Sequence, residues 1–138
     1  MKPEELLELA KEAMKHAYAP YSGFYVGAAL LCRDGSVYQG CNIENSAFSP
    51  TVCAERNAFF KAVYDGHRDF AAIAVCGGKN GVITEPCPPC GVCRQVMSEF
   101  CKADFEVYLT DREKGWRGYR LDELLPVSFS AAESLQNA

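Results

Sequence analysis

Phe24-Tyr25-Val26-Gly27-Ala28-Ala29-Leu30-Leu31-Cys32 and Val37-Tyr38-Gln39-Gly40-Cys41-Asn42-Ile43 are joined by Arg33-Asp34-Gly35-Ser36. Two apolar runs with an Asp-Gly pair between them are the signature of a β-hairpin, because glycine accepts the backbone angles that a tight turn needs. Strands are therefore expected over 24–32 and 37–43. Upstream, 3–19 reads as an amphipathic helix. Pro3 suits its first turn, Leu6, Leu9, Ala10, Ala13, Met14 and Ala17 fall at helical spacing, and Glu4, Glu5 and Glu8 precede Lys15 and His16 in the sense the helix dipole favours. Ala19-Pro20-Tyr21-Ser22-Gly23 breaks it.

Downstream of the hairpin the periodicity alternates. A helix is expected from Thr51 or Val52 to Tyr64, stopped by Asp65-Gly66, with His67 solvated in the turn that follows. Phe70 to Cys76 reads as a buried central strand and 77–89 as a Gly- and Pro-rich loop. A helix follows over 90–102, a strand over 105–109, and a short last strand over 116–121 with Asp122 capping a helical turn. The tail from Pro126 to Ala138 has weak preferences. A helix, a hairpin and then alternating helices and strands imply an α/β fold with a mixed sheet, in one domain over 1–138.

Composition bounds the function. A chain of 138 residues can bury a real core without staples. The formal net charge is −4 and no run of Lys or Arg occurs, which argues against a nucleic-acid partner. The longest apolar run, near residues 26–32, is too short to span a membrane. Met1-Lys2-Pro3-Glu4-Glu5 is acidic and periodic rather than signal-like, so the expected location is cytoplasmic.

Eight cysteines need a chemical reason. Without a signal segment disulfides are disfavoured, and Cys32, Cys41, Cys76 and Cys101 sit singly beside apolar runs as small buried hydrophobes. The others lie in a two-part pattern, Cys53-Ala54-Glu55-Arg56 and Pro89-Cys90-Gly91-Val92-Cys93. Cys90 and Cys93 are three apart and share one face of a helical first turn. With Cys53 they can hold a tetrahedral zinc at roughly 2.3 Å per sulfur, with a fourth position left for water. Cys53 and Glu55 converge only if the site lies off the helix N-terminus, whose positive end also stabilises thiolates. Three thiolates leave a divalent ion with net negative charge. Arg56 beside them would restore part of its acidity.

These motifs, together with Tyr21-Ser22-Gly23-Phe24-Tyr25-Val26-Gly27-Ala28-Ala29, Gly40-Cys41-Asn42-Ile43-Glu44-Asn45 and Arg94-Gln95, resemble those of the small homotetrameric cytidine deaminases. The resemblance runs from about Tyr18 to Phe129. It implies a three-layer α-β-α sandwich around a mixed five-stranded sheet, one zinc per subunit on Cys53, Cys90 and Cys93, and deamination of cytidine and deoxycytidine in pyrimidine salvage. It further implies that Glu55 carries a proton from the activated water to ring N3 and then to the departing amino group. Asn42 and Glu44 would bind the ribose hydroxyls, from one face at the end of a strand. Phe24 would pack on the nucleoside, the Ala54 N–H would meet the pyrimidine carbonyl, and Phe129 would reach a neighbouring subunit's site.

Cys87-Pro88-Pro89-Cys90 overlaps the zinc pair and opens two rivals: a closed four-cysteine structural zinc site, or a thioredoxin-like redox pair. Neither uses Glu55, Asn42 or Glu44, so Cys87 is expected close to the metal but not on it. A blasticidin S deaminase would carry the same zinc core. The Asn42-Ile43-Glu44-Asn45 stretch favours cytidine.

Overall fold

The computed structural model describes residues 1–130. The end of the tail, and with it the end of the expected 1–138 domain, lies outside the described residues. Five strands form one mixed sheet in the order β2-β1-β3-β4-β5. They are β1 (Phe24–Cys32), β2 (Val37–Cys41), β3 (Phe70–Lys79), β4 (Glu106–Asp111) and β5 (Gly115–Arg120). The hairpin forms with Leu31 opposite Val37 and Gly27 opposite Cys41; β1 has the expected bounds, while β2 ends at Cys41 rather than Ile43. β3 runs antiparallel to β1 and parallel to β4, and β5 turns back antiparallel on β4.

Strand alternation distributes the core to two faces, since successive side chains point opposite ways. Ala29, Ala72, Ala74 and Cys76 meet Leu6, Leu7 and Ala10 of α1 (Pro3–Met14). Ala28, Leu30, Ile73, Val75 and Val107 meet Ala58, Phe59 and Ala62 of α2 (Ala54–Tyr64) and Met97 of α3 (Gly91–Phe100). The result is the three-layer sandwich. Phe59 centres the second core, its ring 5.2 Å from Phe70 and 6.1 Å from Phe105. Among the described residues no helix is long and apolar enough to cross a membrane.

Several boundaries differ from expectation, each for a tertiary reason. α1 stops at Met14 rather than Ala19 because Tyr18 leaves to pair with the chain beyond β2. Its N–H donates to the Asn42 carbonyl at 2.9 Å, and its own carbonyl accepts the Glu44 N–H at 2.8 Å. α2 starts at Ala54 rather than at Thr51 or Val52. Val52 and Ile43 exchange backbone bonds of 3.0 Å, holding the β-branched Val52 extended up to the N-cap, Cys53. β3 continues through Gly77 and Gly78 to Lys79, because β1 offers its backbone that far. α3 begins after Cys90, which is its N-cap, and ends at Phe100 rather than at Lys102. At the end of the chain β5 is already complete at Arg120. The short α4 (Leu121–Leu124) is capped by Arg120, whose N–H donates to Glu123, and not by Asp122.

Gly40 sets the distance between β2 and the start of α2. A Cβ there would lie 2.4 Å from the Ala54 carbonyl oxygen and 2.6 Å from the Ala58 nitrogen. Both obstacles are backbone, so the helix itself would have to move. Gly40→Ala is expected to destabilise the fold by about 1–3 kcal/mol, which urea denaturation would measure.

Candidate active site

The N-termini of α2 and α3 face one cavity of about 260 Å³, bounded on its other side by the start of β1 and the chain after β2. Its wall includes Phe24, Asn42, Glu44, Cys53, Ala54, Glu55 and Cys90. Residues far apart in sequence therefore share one chamber. Cys53 and Cys90 are both N-caps with extended backbone, at φ −72°, ψ 157° and φ −70°, ψ 169°. An extended residue at the helix mouth aims its side chain off the helix end, which is how Cys53 reaches the site. Cys90 accordingly sits at the mouth of α3, with Cys93 in the first turn behind it.

The three sulfurs fit a tetrahedral ion. Cys53 Sγ is 3.7 Å from Cys90 Sγ, and Cys90 Sγ is 3.5 Å from Cys93 Sγ. All three lie within 4.8 Å of one another. Zinc–sulfur bonds of ~2.3 Å in tetrahedral geometry place sulfurs about 3.8 Å apart. The charge is shared unevenly. Hydrogen bonds from Cys93 first, then from Arg56 and Cys90, outweigh burial and pull Cys53 down to about 5, while Cys93, the donor to that thiolate, is pushed well up. Cys53, Cys90 and Cys93 would hold a divalent cation as thiolates, giving up their remaining protons on binding.

Arg56 lies against this cluster. Its Nη2 donates to Cys53 Sγ at 3.5 Å, and its Nε is buried without a hydrogen-bond partner. The guanidinium thus faces sulfur rather than solvent. Glu55 is only 4% exposed. Burial first, and then the negative charge on Cys53, raises its carboxyl to about 7, despite opposing backbone and Cys93 hydrogen bonds.

Asn42 and Glu44 both line the cavity, but from beyond the end of a strand rather than on its face. β2 ends at Cys41, and the alternation carries over only through Ile43, which bridges Tyr18 and Val52. Asn42 spends both ends of its amide on β1: Oδ1 accepts the Val26 N–H and Nδ2 donates to the Phe24 carbonyl, each at 2.9 Å. Glu44 Oε1 accepts the N–H groups of Tyr21 at 3.0 Å and Ser22 at 3.1 Å, and Oε2 accepts the Ser22 hydroxyl. The Ser22 hydroxyl foremost, followed by those N–H groups, holds the Glu44 carboxyl below the usual range.

Phe129 does not join the cavity of its own chain. It is 71% exposed, and its carbonyl accepts a hydrogen bond from Gln95 Nε2 at 3.0 Å. Cys87 lines the cavity but is outside the three-sulfur group. Burial, with a lesser push from Glu55, raises it to about 12, so it stays a neutral thiol.

Two contributors had not been singled out from the sequence. Ser22 orients Glu44. Arg94 braces the approach to Cys90, donating through Nε to the Pro89 carbonyl at 2.8 Å and through Nη1 to the Leu124 carbonyl at 2.7 Å. Both lay inside quoted motifs, but Ser22 meets the Glu44 carboxylate 22 residues away and Arg94 meets backbone carbonyls, so neither pairing leaves a local pattern to read.

Fold and site together define an α/β protein with a thiolate metal centre and a buried acid at the open end of a mixed sheet. A family profile described as cytidine and deoxycytidylate deaminase zinc-binding region matches residues 1–109. The chain is 52% identical over 130 residues to a cytidine deaminase of Sporosarcina psychrophila, covering 94% of this chain and 93% of that one. It is 48% identical over 133 residues to a cytidine deaminase of Halalkalibacterium halodurans, covering 96% and 98%. The crystal structure of cytidine deaminase from Burkholderia pseudomallei is similar with a TM-score of 0.85 at 47% identity, over 94% of this chain and 100% of that one. The chain belongs to the cytidine and deoxycytidylate deaminase family. That family's metal is zinc, and the three-thiolate set suits it.

Proposed function

We propose that this protein hydrolyses cytidine and deoxycytidine to uridine and deoxyuridine with release of ammonia. The observation that carries this reading is the place of Glu55: buried, beside three sulfurs spaced for one ion, in the wall of a cavity whose far end holds Glu44. When bound on Cys53, Cys90 and Cys93, zinc supplies a water acidified toward ~7. Glu55, with its carboxyl near neutrality, accepts a proton as carboxylate and returns it as acid, first to ring N3 and then to the departing amino group. Arg56 shares the negative charge of the sulfurs.

The remaining roles concern holding the nucleoside. The Ala54 N–H belongs to the first turn of α2, where amides have no acceptor within the helix, and it is assigned to the pyrimidine carbonyl. Phe24 covers the base. Glu44 accepts from the ribose, and Asn42, fixed to β1, offers its spare hydrogen-bonding capacity beside it. Phe129 is exposed as a residue serving a neighbouring subunit would be. We accordingly place the enzyme as a single-domain homotetramer in cytoplasmic pyrimidine salvage, with no nucleic-acid or membrane partner.

The test is direct. Purified protein carrying one zinc per chain should consume cytidine and release equimolar ammonia. Zinc-replete protein inactive on both nucleosides would overturn the substrate assignment.

A further inference from the structure

A second group of metal-binding side chains stands apart from the cavity. Cys32 ends β1, Asp34 lies in the hairpin turn, and His67 follows α2, yet one ligand atom of each lies within 4.8 Å of the other two. Cys32 is 1% exposed and the His67 side chain 24%, so the imidazole is half-buried rather than solvated as expected.

Asp34 and His67 are oriented from outside the cluster. Asp34 Oδ1 accepts from the Ser36 N–H at 3.0 Å and the Ser36 hydroxyl at 2.6 Å, which turns Oδ2 toward His67 Nδ1 at 3.7 Å. That separation is too long for a hydrogen bond. It is close to the ~3.4 Å edge between nitrogen and oxygen ligands that each lie ~2.0–2.1 Å from a tetrahedral ion. The neighbouring cation does not compete, since Arg33 pairs with Asp69 at 3.5 Å. The His67 ring rests edge-on against Tyr38, 5.2 Å between centroids, and Tyr38 donates to Asp65 at 2.7 Å. Backbone bonds lock the three segments together: Cys32 N–H to the Ser36 carbonyl at 2.9 Å, Arg33 N–H to Asp69 at 3.0 Å, and His67 N–H to Ala62 at 3.0 Å.

We propose that Cys32 Sγ, Asp34 Oδ2 and His67 Nδ1 form a second divalent transition-metal site, separate from the catalytic centre. One thiolate, one imidazole and one carboxylate suit Zn²⁺ or Co²⁺ in four-coordination with a water, and not the all-oxygen shells of Mg²⁺ or Ca²⁺. Binding displaces the Cys32 proton. The two centres flank one helix: Cys53 precedes α2 and His67 follows it, so its 11 residues, about 16 Å long, separate them. An ion here clips the hairpin to the α2–β3 connection and stabilises the folded chain by an amount that grows with the logarithm of metal concentration above its Kd. With a single thiolate this site fills after the catalytic one.

Cobalt reads the site without disturbing the enzyme. Zinc-loaded protein with one zinc per chain is dialysed against Co²⁺, and total zinc, total cobalt and the absorption spectrum are measured. One added cobalt per chain is expected, with a thiolate-to-cobalt charge-transfer band and no zinc released. In His67→Gln the cobalt affinity should fall more than about tenfold, while zinc content and nucleoside turnover stay at wild-type values. Cys32→Ser should lose the charge-transfer band even where cobalt is retained. No second equivalent in the wild type, cobalt taken up only in exchange for zinc, or undiminished binding by His67→Gln would each overturn the proposal.

Discussion

Glu55→Gln should retain its zinc and its fold and lose about 10⁴-fold in kcat on cytidine. General acid–base catalysis by one positioned group contributes typically 10²–10⁴, and the upper end is expected where the same carboxyl moves a proton twice. The amide is nearly isosteric but can neither take nor return a proton. Stability should move the other way. The folded-state value of about 7 lies above the ordinary 4.5 because Glu55 is buried. For a group raised in this way, the stabilisation is complete below ~4.5 and is lost as pH rises through ~7. At pH 8 the wild type therefore carries a buried carboxylate at a cost of order 3 kcal/mol, and the glutamine variant does not. Denaturation curves at pH 8 should place Glu55→Gln above the wild type, with the gap closing toward pH 4.5. Full activity in Glu55→Gln would end the proton-shuttle assignment, and a gap that widens on acidification would contradict its burial.

Cys90→Ala is expected to reduce zinc from one per chain to a small fraction and to take nucleoside turnover with it. Cys90 is exposed and makes no side-chain cap to α3, so its removal leaves packing almost untouched and isolates the effect on the metal. Even partners outside the ligand set are worth 10–100-fold in metal affinity, and a thiolate ligand should be worth more. Cys87→Ser provides the contrast. That thiol is neutral and outside the sulfur group, so zinc content and turnover should stay within a few-fold of wild type. Loss of zinc from Cys87→Ser, measured by metal analysis beside Cys90→Ala, would instead support a closed four-cysteine site.

Much of this architecture could be read before the structure, and where it could not the reason is specific. The Asp34-Gly35 turn and the flanking apolar runs located the hairpin to the residue at β1, because turn chemistry and strand periodicity are local properties. The ends of α1 and α2 were misplaced because backbone pairing among Tyr18, Ile43 and Val52 decides them, and such pairing has no local signature. Those pairings also shape the site: its place off the helix N-terminus was expected, but the extended N-cap backbone of Cys53 that puts it there was not. The cysteine spacing did point to the three sulfurs that the fold brings together. Arg56, which rested only on a charge argument, is found with its guanidinium on Cys53. Conversely Cys32 and His67 looked unrelated because 34 intervening residues, including all of α2, separate them in the chain.

Asn42 has a consequence for how this pocket can change over evolution. Its amide stands in for one more residue pair of the β1–β2 ladder, joining Phe24 and Val26 to a chain that has already left the sheet. The Asn42 end of the chamber is thereby anchored in the scaffold, and a mutation there loosens the start of β1 before it changes the shape of the pocket. Drift toward new ligands is channelled to lining side chains that make no such bond to β1, Cys87 among them, where a residue can be exchanged without untying the sheet.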